Sequence, residues 1–166
     1  MAYRLLVLAP LLATLVASVS EVVPGPGLPT LAELGVTSPD LYNEIPAALS
    51  SHSKREDKHD GAICTSFGGT GYTPVEHVIA CFNYLVKIGN RKCSTAPHTV
   101  CTIEETVIKA NAYGSPASPD YIDCWDVALG VQKVFTECNI DGKVSGQYFL
   151  PNVANAVKGV FYEVET

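Results

Sequence analysis

The chain has 166 residues, a formal net charge of −6 and a sequence pI of about 5.1, with 47% hydrophobic and 17% charged residues. Because the excess charge is acidic, nucleic acid and anionic membranes are poor partners for it. The sequence contains no N-glycosylation sequon, no lipidation signal and no internal repeat.

The first 20 residues have the pattern of a signal peptide. Arg4 supplies the positive start, residues 5–16 form a short apolar core, and residues 17–20 are the small residues that a signal peptidase needs. The apolar run is much shorter than the roughly 20 residues that cross a bilayer. We therefore expect a secreted, extracellular protein without stable membrane insertion.

Residues 21–55 are predicted to be a pro-segment. They contain no cysteine and several prolines, and their two weak apolar patches cannot bury much surface by themselves. The segment ends at the dibasic pair Lys54-Arg55, after which a kexin-type convertase of the secretory pathway cuts. This interpretation makes the convertase a processing partner and leaves residues 56–166 as one mature domain.

All six cysteines follow the dibasic pair: Cys64, Cys81, Cys93, Cys101, Cys124 and Cys138. An even number of cysteines in an exported chain of this size predicts three disulfides. Zinc is the alternative reading, but no CxxC or HxxxH pair supports a metal site. The 15 possible pairings stay open at this point, apart from one geometric limit given below.

In chain order, the mature domain is predicted to begin with a strand at residues 62–67 and a helix that follows it. Thr73-Pro74-Val75-Glu76 has the pattern of a capping box with proline at the first helical position. Apolar residues then recur at helical spacing until Gly89, which is expected to end this first helix. The histidine of its second turn, His77, lies off the apolar stripe and is interpreted as a solvated residue.

Two further strands are predicted at residues 99–103 and 106–113, although one long strand through Glu104-Glu105 fits equally well. A second helix follows, in which Asp123 can cap and an apolar stripe runs from Cys124 to Cys138. Strands at 144–150 and 157–164 complete the order. Two helices between separated strand pairs predict an α+β fold with both helices on one face of a mostly antiparallel four- to five-stranded sheet, a split-βαβ sandwich.

The second helix limits the disulfide pairing. Cys124 and Cys138 are fourteen residues apart, which is roughly 21 Å along a helix. A disulfide needs Cα atoms within about 7 Å, so these two cysteines cannot pair with each other. Each must tie one end of the helix to another element of the domain.

Residues 63–150 resemble small secreted fungal proteins of the necrosis-inducing-factor and killer-toxin-like groups. The likeness is carried by HVIACFNYLVKIG, HTVCTIEETVI and IDCWDVALGVQKVFTECNIDGKVSGQYF, most specifically by Asp126-Val127 and the glycines at 142 and 146. The chain departs from the necrosis-inducing pattern because it lacks a closing cysteine after Gly146 and has an additional one at Cys138. The resemblance implies an α/β-sandwich effector or toxin, often matured at a dibasic site and without known catalytic residues.

We find no pattern for catalytic, cofactor-binding or metal-binding residues. The paired acidic residues are explained by strand alternation and helix capping, and no GxSxG elbow or P-loop is present. Tyr113, Tyr121 and Trp125 cluster around the entry to the second helix and are the candidate partner-binding residues. For Trp125, which follows the core-facing Cys124, we favour partial burial against the loop. The expected function is a non-enzymatic fungal effector or toxin without a cofactor, acting on an unknown host or competitor protein. The alternative is an antimicrobial or carbohydrate-binding protein that acts on a cell-wall glycan.

The processing interpretation predicts the ends of the secreted product. Intact-mass analysis should give an amino terminus at Glu56, and the double substitution Lys54→Ala and Arg55→Ala should leave the pro-segment covalently attached, because the convertase reads both basic side chains. A wild-type secreted chain that begins between Ser18 and Val22 would contradict it.

Overall fold

The computed structural model describes residues 19–44, 61–64, 72–95, 99–112, 121–148, 160–161 and 164–165. Within them the chain forms four helices and eleven short strands. The helices are α1 (Leu31–Leu34), α2 (Ser38–Asn43), α3 (Val75–Ile88) and α4 (Cys124–Glu137). The strands are β1 (Val23–Pro24), β2 (Thr73–Pro74), β3 (Lys92–Ser94), β4 (Thr99–Ile103), β5 (Thr106–Lys109), β6 (Asn111–Ala112), β7 (Tyr121–Asp123), β8 (Asn139–Ile140), β9 (Lys143–Val144), β10 (Val160–Phe161) and β11 (Val164–Glu165).

The expected α+β class with antiparallel pairing is confirmed. The largest sheet in the described residues has four strands in the order β1-β4-β5-β11, and all of its neighbours are antiparallel. Three smaller sheets pair β10 with β6, β3 with β7, and β9 with both β2 and β8. The sheet that carries the fold therefore contains β1, a strand from the predicted pro-segment.

Helix α3 ends where it was predicted to end but begins one residue later. Thr73 does not cap it: the residue pairs with Val144 in the β2–β9 ladder, and its hydroxyl contacts that of Thr106. Pro74 occupies the N-cap position without a side-chain hydrogen bond, so the predicted capping box is not formed. Gly89, with φ of +62°, ends the helix as predicted, since a positive φ favours glycine.

Helix α4 carries the predicted apolar stripe. Its inward face buries Val127, Val131 and Val134, while Phe135 lies edge-on against Phe82 of α3 with ring centroids 5.4 Å apart. The two long helices thus pack on each other, and α3 also contacts α2, β4 and β5. Helix α3 lies between α4 and the main sheet and forms the centre of the core.

The disulfide stabilisation expected for this fold is confirmed. The pairs are Cys64–Cys138, Cys81–Cys101 and Cys93–Cys124. Both ends of α4 are tied to other parts of the chain, and α3 is tied directly to β4. Removal of one native disulfide from a small secreted domain typically costs about 2 to 5 kcal/mol, so each bond contributes a large share of the stability of this domain.

The strands match the prediction in the middle of the domain and differ at its edges. Residues 99–103 form β4 as predicted, and the division at Glu104-Glu105 is a turn in which Glu104 has φ of +50°. The predicted strands at 62–67 and 144–150 are represented by β9 and a single bridge between Ile63 and Gln147. Residues 65–67 and 149–150 lie outside the described residues, as do residues 1–18 of the predicted signal peptide.

Residues 19–44, which we call the N-terminal segment, form a strand and two short helices. Thr30 and Glu33 make a capping box at the start of α1, and Gly35 ends that helix with φ of +66°. Thr37 and Asp40 make a second box at α2. These local features order a segment that the sequence identified only as poor in apolar surface.

The contacts of Gly25 show how closely the N-terminal segment lies against the sheet. Its amide donates to the carbonyl of Val100 at 2.9 Å, and a Cβ at this position would lie 2.1 Å from the Thr99 carbonyl oxygen. Gly25→Ala should therefore push β1 away from β4 and destabilise the protein by about 1 to 3 kcal/mol in urea unfolding.

Gly61→Ala is the matched control, because its Cβ would lie 3.8 Å from Glu137 Oε2, which is an ordinary van der Waals contact. Equal unfolding midpoints for the two variants would contradict the docking of β1 on β4.

Candidate functional site

The predicted partner-binding residues divide into one exposed, one half-buried and one undescribed position. Tyr121, at the start of β7, is 57% exposed, whereas Trp125 in the first turn of α4 is half-buried. Tyr113 lies outside the described residues. The structure therefore brings two of the three to the junction of β7 and α4, and Tyr121 is the more accessible of them.

The backbone around Tyr121 is held from two sides. Strand β7 pairs with β3 in the register Ser94↔Tyr121 and Cys93↔Ile122, and the disulfide Cys93–Cys124 closes the same ladder. Ile122 is 6% exposed and points into the core, so strand alternation turns Tyr121 outward. A fixed backbone lowers the entropy that an exposed ring loses when it binds a partner.

An ion pair lies on the same face of β7, two residues along the strand from Tyr121. Lys92 Nζ is 2.6 Å from Asp123 Oδ1, and both side chains are largely exposed. Asp123 was predicted to cap α4, but its side chain makes no cap hydrogen bond. Its carboxylate pairs with the lysine instead. Such a surface pair adds little stability, and it places one positive and one negative group beside the aromatic surface.

A buried polar cluster lies at the N-terminal end of α3. It includes the histidine that was expected to be solvated. His77 is only 8% exposed, so that expectation is wrong: its Nδ1 lies 3.0 Å from the hydroxyl of Thr106, and the Tyr42 ring stands edge-on to the imidazole. Thr73 and Thr106 are each 1% exposed. A histidine beside a hydroxyl resembles a base and a nucleophile, but here Tyr42 packs on the imidazole and both threonines are closed to solvent.

The hydroxyl of Tyr42 lacks a good hydrogen-bond partner in this cluster. Burial raises the pKa of its hydroxyl, and the nearby Ser20 offsets part of that rise. Even so, the hydroxyl makes no hydrogen bond of normal geometry within the described part of the chain. A buried hydroxyl without a partner costs about 1 to 3 kcal/mol, so the Tyr42 hydroxyl offsets part of the stability that this cluster contributes.

Two other polar side chains at the interface between the N-terminal segment and α3 have hydrogen-bond partners. Tyr84 donates its hydroxyl hydrogen bond to the Pro29 carbonyl at 2.8 Å, and burial holds the pKa of this tyrosine far above its usual range. The Asn83 amide nitrogen donates to the carbonyls of Leu41 at 2.7 Å and Glu44 at 3.0 Å. These two carbonyls belong to the end of α2, where a helix leaves its last acceptors unpaired.

Apolar burial accompanies these hydrogen bonds. Val22 and Leu41 are 1% and 0% exposed and belong to the core of the domain. Full burial of such a side chain stabilises by about 1.5 to 3 kcal/mol. Five more residues of the segment pack partly against the same core: Leu28, Leu31, Leu34, Val36 and Tyr42. The segment thus supplies part of the core that its own sequence could not form alone.

Sequence reasoning missed Gly25, Asn83 and Tyr84 as interface residues. One available signal was the run VIACFNYL, in which apolar residues surround the helix instead of following one stripe. A helix that is apolar on all sides must be covered on all sides. Lys54 and Arg55, the predicted cleavage residues, lie outside the described residues, between the N-terminal segment and Gly61.

Within the described residues, no group of three or more His, Cys, Asp or Glu side chains is placed to hold a metal ion. None of the described helices has the length and apolar character that crossing a membrane requires. All six cysteines are paired, which leaves no free thiol.

A family described as "Domain of unknown function (DUF8794)" matches residues 59–159, more than half of the chain. The match begins four residues after Arg55 and does not include the N-terminal segment. The comparisons with curated proteins and with solved structures found no match.

The two capping boxes of the N-terminal segment make it sensitive to acid. Hydrogen bonds from Thr30 and Thr37 hold the pKa values of Glu33 and Asp40 below their usual 4.5 and 3.8. A lowered folded-state pKa gives stability that is present above the unfolded value and is lost as pH falls through the folded value. Carboxyl chemical shifts in NMR should therefore give a pKa below 4.5 for Glu33 and below 3.8 for Asp40. The amide signals of α1 and α2 should weaken as the pH falls below those values.

Glu33→Gln should remove the response of α1 and leave that of α2. A Glu33 that titrates at or above 4.5 would contradict the cap.

Proposed function

The chain belongs to the DUF8794 family, and we propose that it is a secreted, non-enzymatic fungal effector or toxin that acts on a host or a competitor by binding. The observation that carries this proposal is Tyr121, a 57% exposed ring on a strand closed by the Cys93–Cys124 disulfide. Tyrosine is enriched among the residues that dominate binding interfaces. Here it is presented on a backbone that has little freedom to lose.

Export is supported by the covalent framework of the domain. Three disulfides that use every cysteine persist in oxidising compartments and are rare in the cytosol. The sequence of residues 1–20 supplies the matching leader pattern. Origin from a fungus and action on another organism rest on the resemblance of residues 63–150 to secreted fungal effectors.

The second candidate, a cell-wall protein that binds carbohydrate or inhibits microbes, is favoured by the same exposed ring. An aromatic face next to the polar pair Lys92 and Asp123 can stack on a sugar while the charges accept and donate hydrogen bonds. A parallel assay separates the two. Cell death after infiltration of host tissue favours the effector, whereas growth arrest of competing microbes or retention on insoluble cell-wall glycan favours the second candidate.

The role of the exposed ring is tested by Tyr121→Ala in the secreted protein. If this ring is a binding hot spot, its loss should raise the dose needed for half-maximal activity by at least about tenfold. The thermal midpoint should change by no more than about 2 °C, because an exposed side chain contributes little to the core.

Tyr72→Ala is the matched control. This tyrosine is 40% exposed and directly precedes β2, far from Tyr121 in the sequence. Equal activity of the two variants would remove Tyr121 from the recognition surface. Trp125→Ala is less informative, because the half-buried ring also packs in the domain.

A further inference from the structure

The N-terminal segment is attached to the rest of the chain by two kinds of bond: the backbone through residues 45–60, and the non-covalent contacts described above. No cysteine lies before Cys64, and the three disulfides join positions between 64 and 138. A cut at Lys54-Arg55 would therefore leave the segment with no covalent link to the domain.

The non-covalent contacts form a continuous docking surface, which we define as the edge of β4 that pairs with β1, together with Asn83, Tyr84 and Lys87 of α3. Strand β1 adds to this edge in the register Val23↔Thr102 and Pro24↔Cys101. Addition of a strand to a sheet edge is a common way in which one chain binds a separate peptide. Here the strand is followed by a helix whose end is held by side chains of α3.

The contacts are distributed along the whole segment. The Gly25 amide bonds β4, the Pro29 carbonyl accepts from Tyr84, Leu41 is fully buried, and Glu44 pairs with Lys87 at 2.8 Å. The Val22 amide donates to Ser38 Oγ, which fixes the strand relative to α2 within the segment. A ligand held at both ends and in the middle does not depend on its covalent tether.

We propose that the N-terminal segment remains bound to this docking surface after the chain is cut between residues 44 and 61, so that the processed protein is a non-covalent complex of two chains. The occupant of the surface is the chain's own strand-and-helix segment. This inference does not depend on the proposed function, and it uses the dibasic site only as the natural place of the cut.

The test separates docking from natural processing. Lys54-Arg55 is replaced by the recognition sequence of a site-specific protease, and the purified full chain is cut in solution. The two pieces should elute together in native size-exclusion chromatography and separate in a denaturing gel run without reductant. Elution of the amino-terminal piece as a free peptide would overturn the proposal.

Exchange of the bound segment shows which contacts hold it. The cut protein is mixed with an excess of isotope-labelled synthetic peptide of residues 19–55, and incorporation into the complex is followed by native mass spectrometry. A Leu41→Ala peptide should compete at least about tenfold more weakly than the natural peptide, because it loses a fully buried side chain. An Asn43→Ala peptide, altered at an exposed position, is the matched control.

The domain side is tested by Asn83→Asp, which replaces a donor to two carbonyls with an acceptor. Asn139→Asp adds the same charge at an exposed position where the side-chain oxygen still accepts from the Gly142 amide. The first variant should release the cut segment at least about tenfold faster than the second. Equal retention in both variants, together with equal competition by the two peptides, would show that the described contacts do not hold the segment.

Discussion

The middle of helix α3 is buried around its circumference, and the rest of the structure can be understood as the set of elements that cover it. Residues 80–85 are all buried, and consecutive helical positions point in every direction around the axis. Helix α4 covers one side, strands β4 and β5 cover another, and the N-terminal segment covers a third. The disulfide Cys81–Cys101 fixes the helix to the sheet at the centre of this arrangement.

The two surfaces considered for binding lie on different elements of this core. The docking surface is formed by β4 and the middle and end of α3, whereas Tyr121 projects from β7 beside the start of α4. The disulfide Cys93–Cys124 joins β3 to the start of α4, at the second surface. Substitutions at Tyr121 and at Asn83 therefore alter different elements, so the proposed partner binding and the proposed retention of the N-terminal segment can be tested separately.

Local signals predicted the two long helices and the central strand, and long-range contacts account for part of what was missed. Gly89 marks the end of α3 and residues 99–103 form β4, because backbone preference and apolar spacing act over a few neighbours. The role of Thr73 was not predictable, since its partners Val144 and Thr106 are distant in sequence. His77 was misread because a position off the apolar stripe is solvated only when nothing covers that side. The geometry of α4 excluded one disulfide, but the three pairs depend on the tertiary fold.

The central claim is that the N-terminal segment is a structural part of the domain. Hydrogen–deuterium exchange of the uncut chain carrying Lys54→Ala and Arg55→Ala tests it most directly, read on peptides that cover residues 20–30 and 75–88. The amides of Val22 and Gly25 each donate at 2.9 Å to an acceptor, Ser38 Oγ and the Val100 carbonyl. The account predicts that these amides exchange far more slowly than an unstructured peptide, alongside a protected α3. Exchange of residues 20–30 at the rate of a free peptide, with α3 still protected, would contradict it.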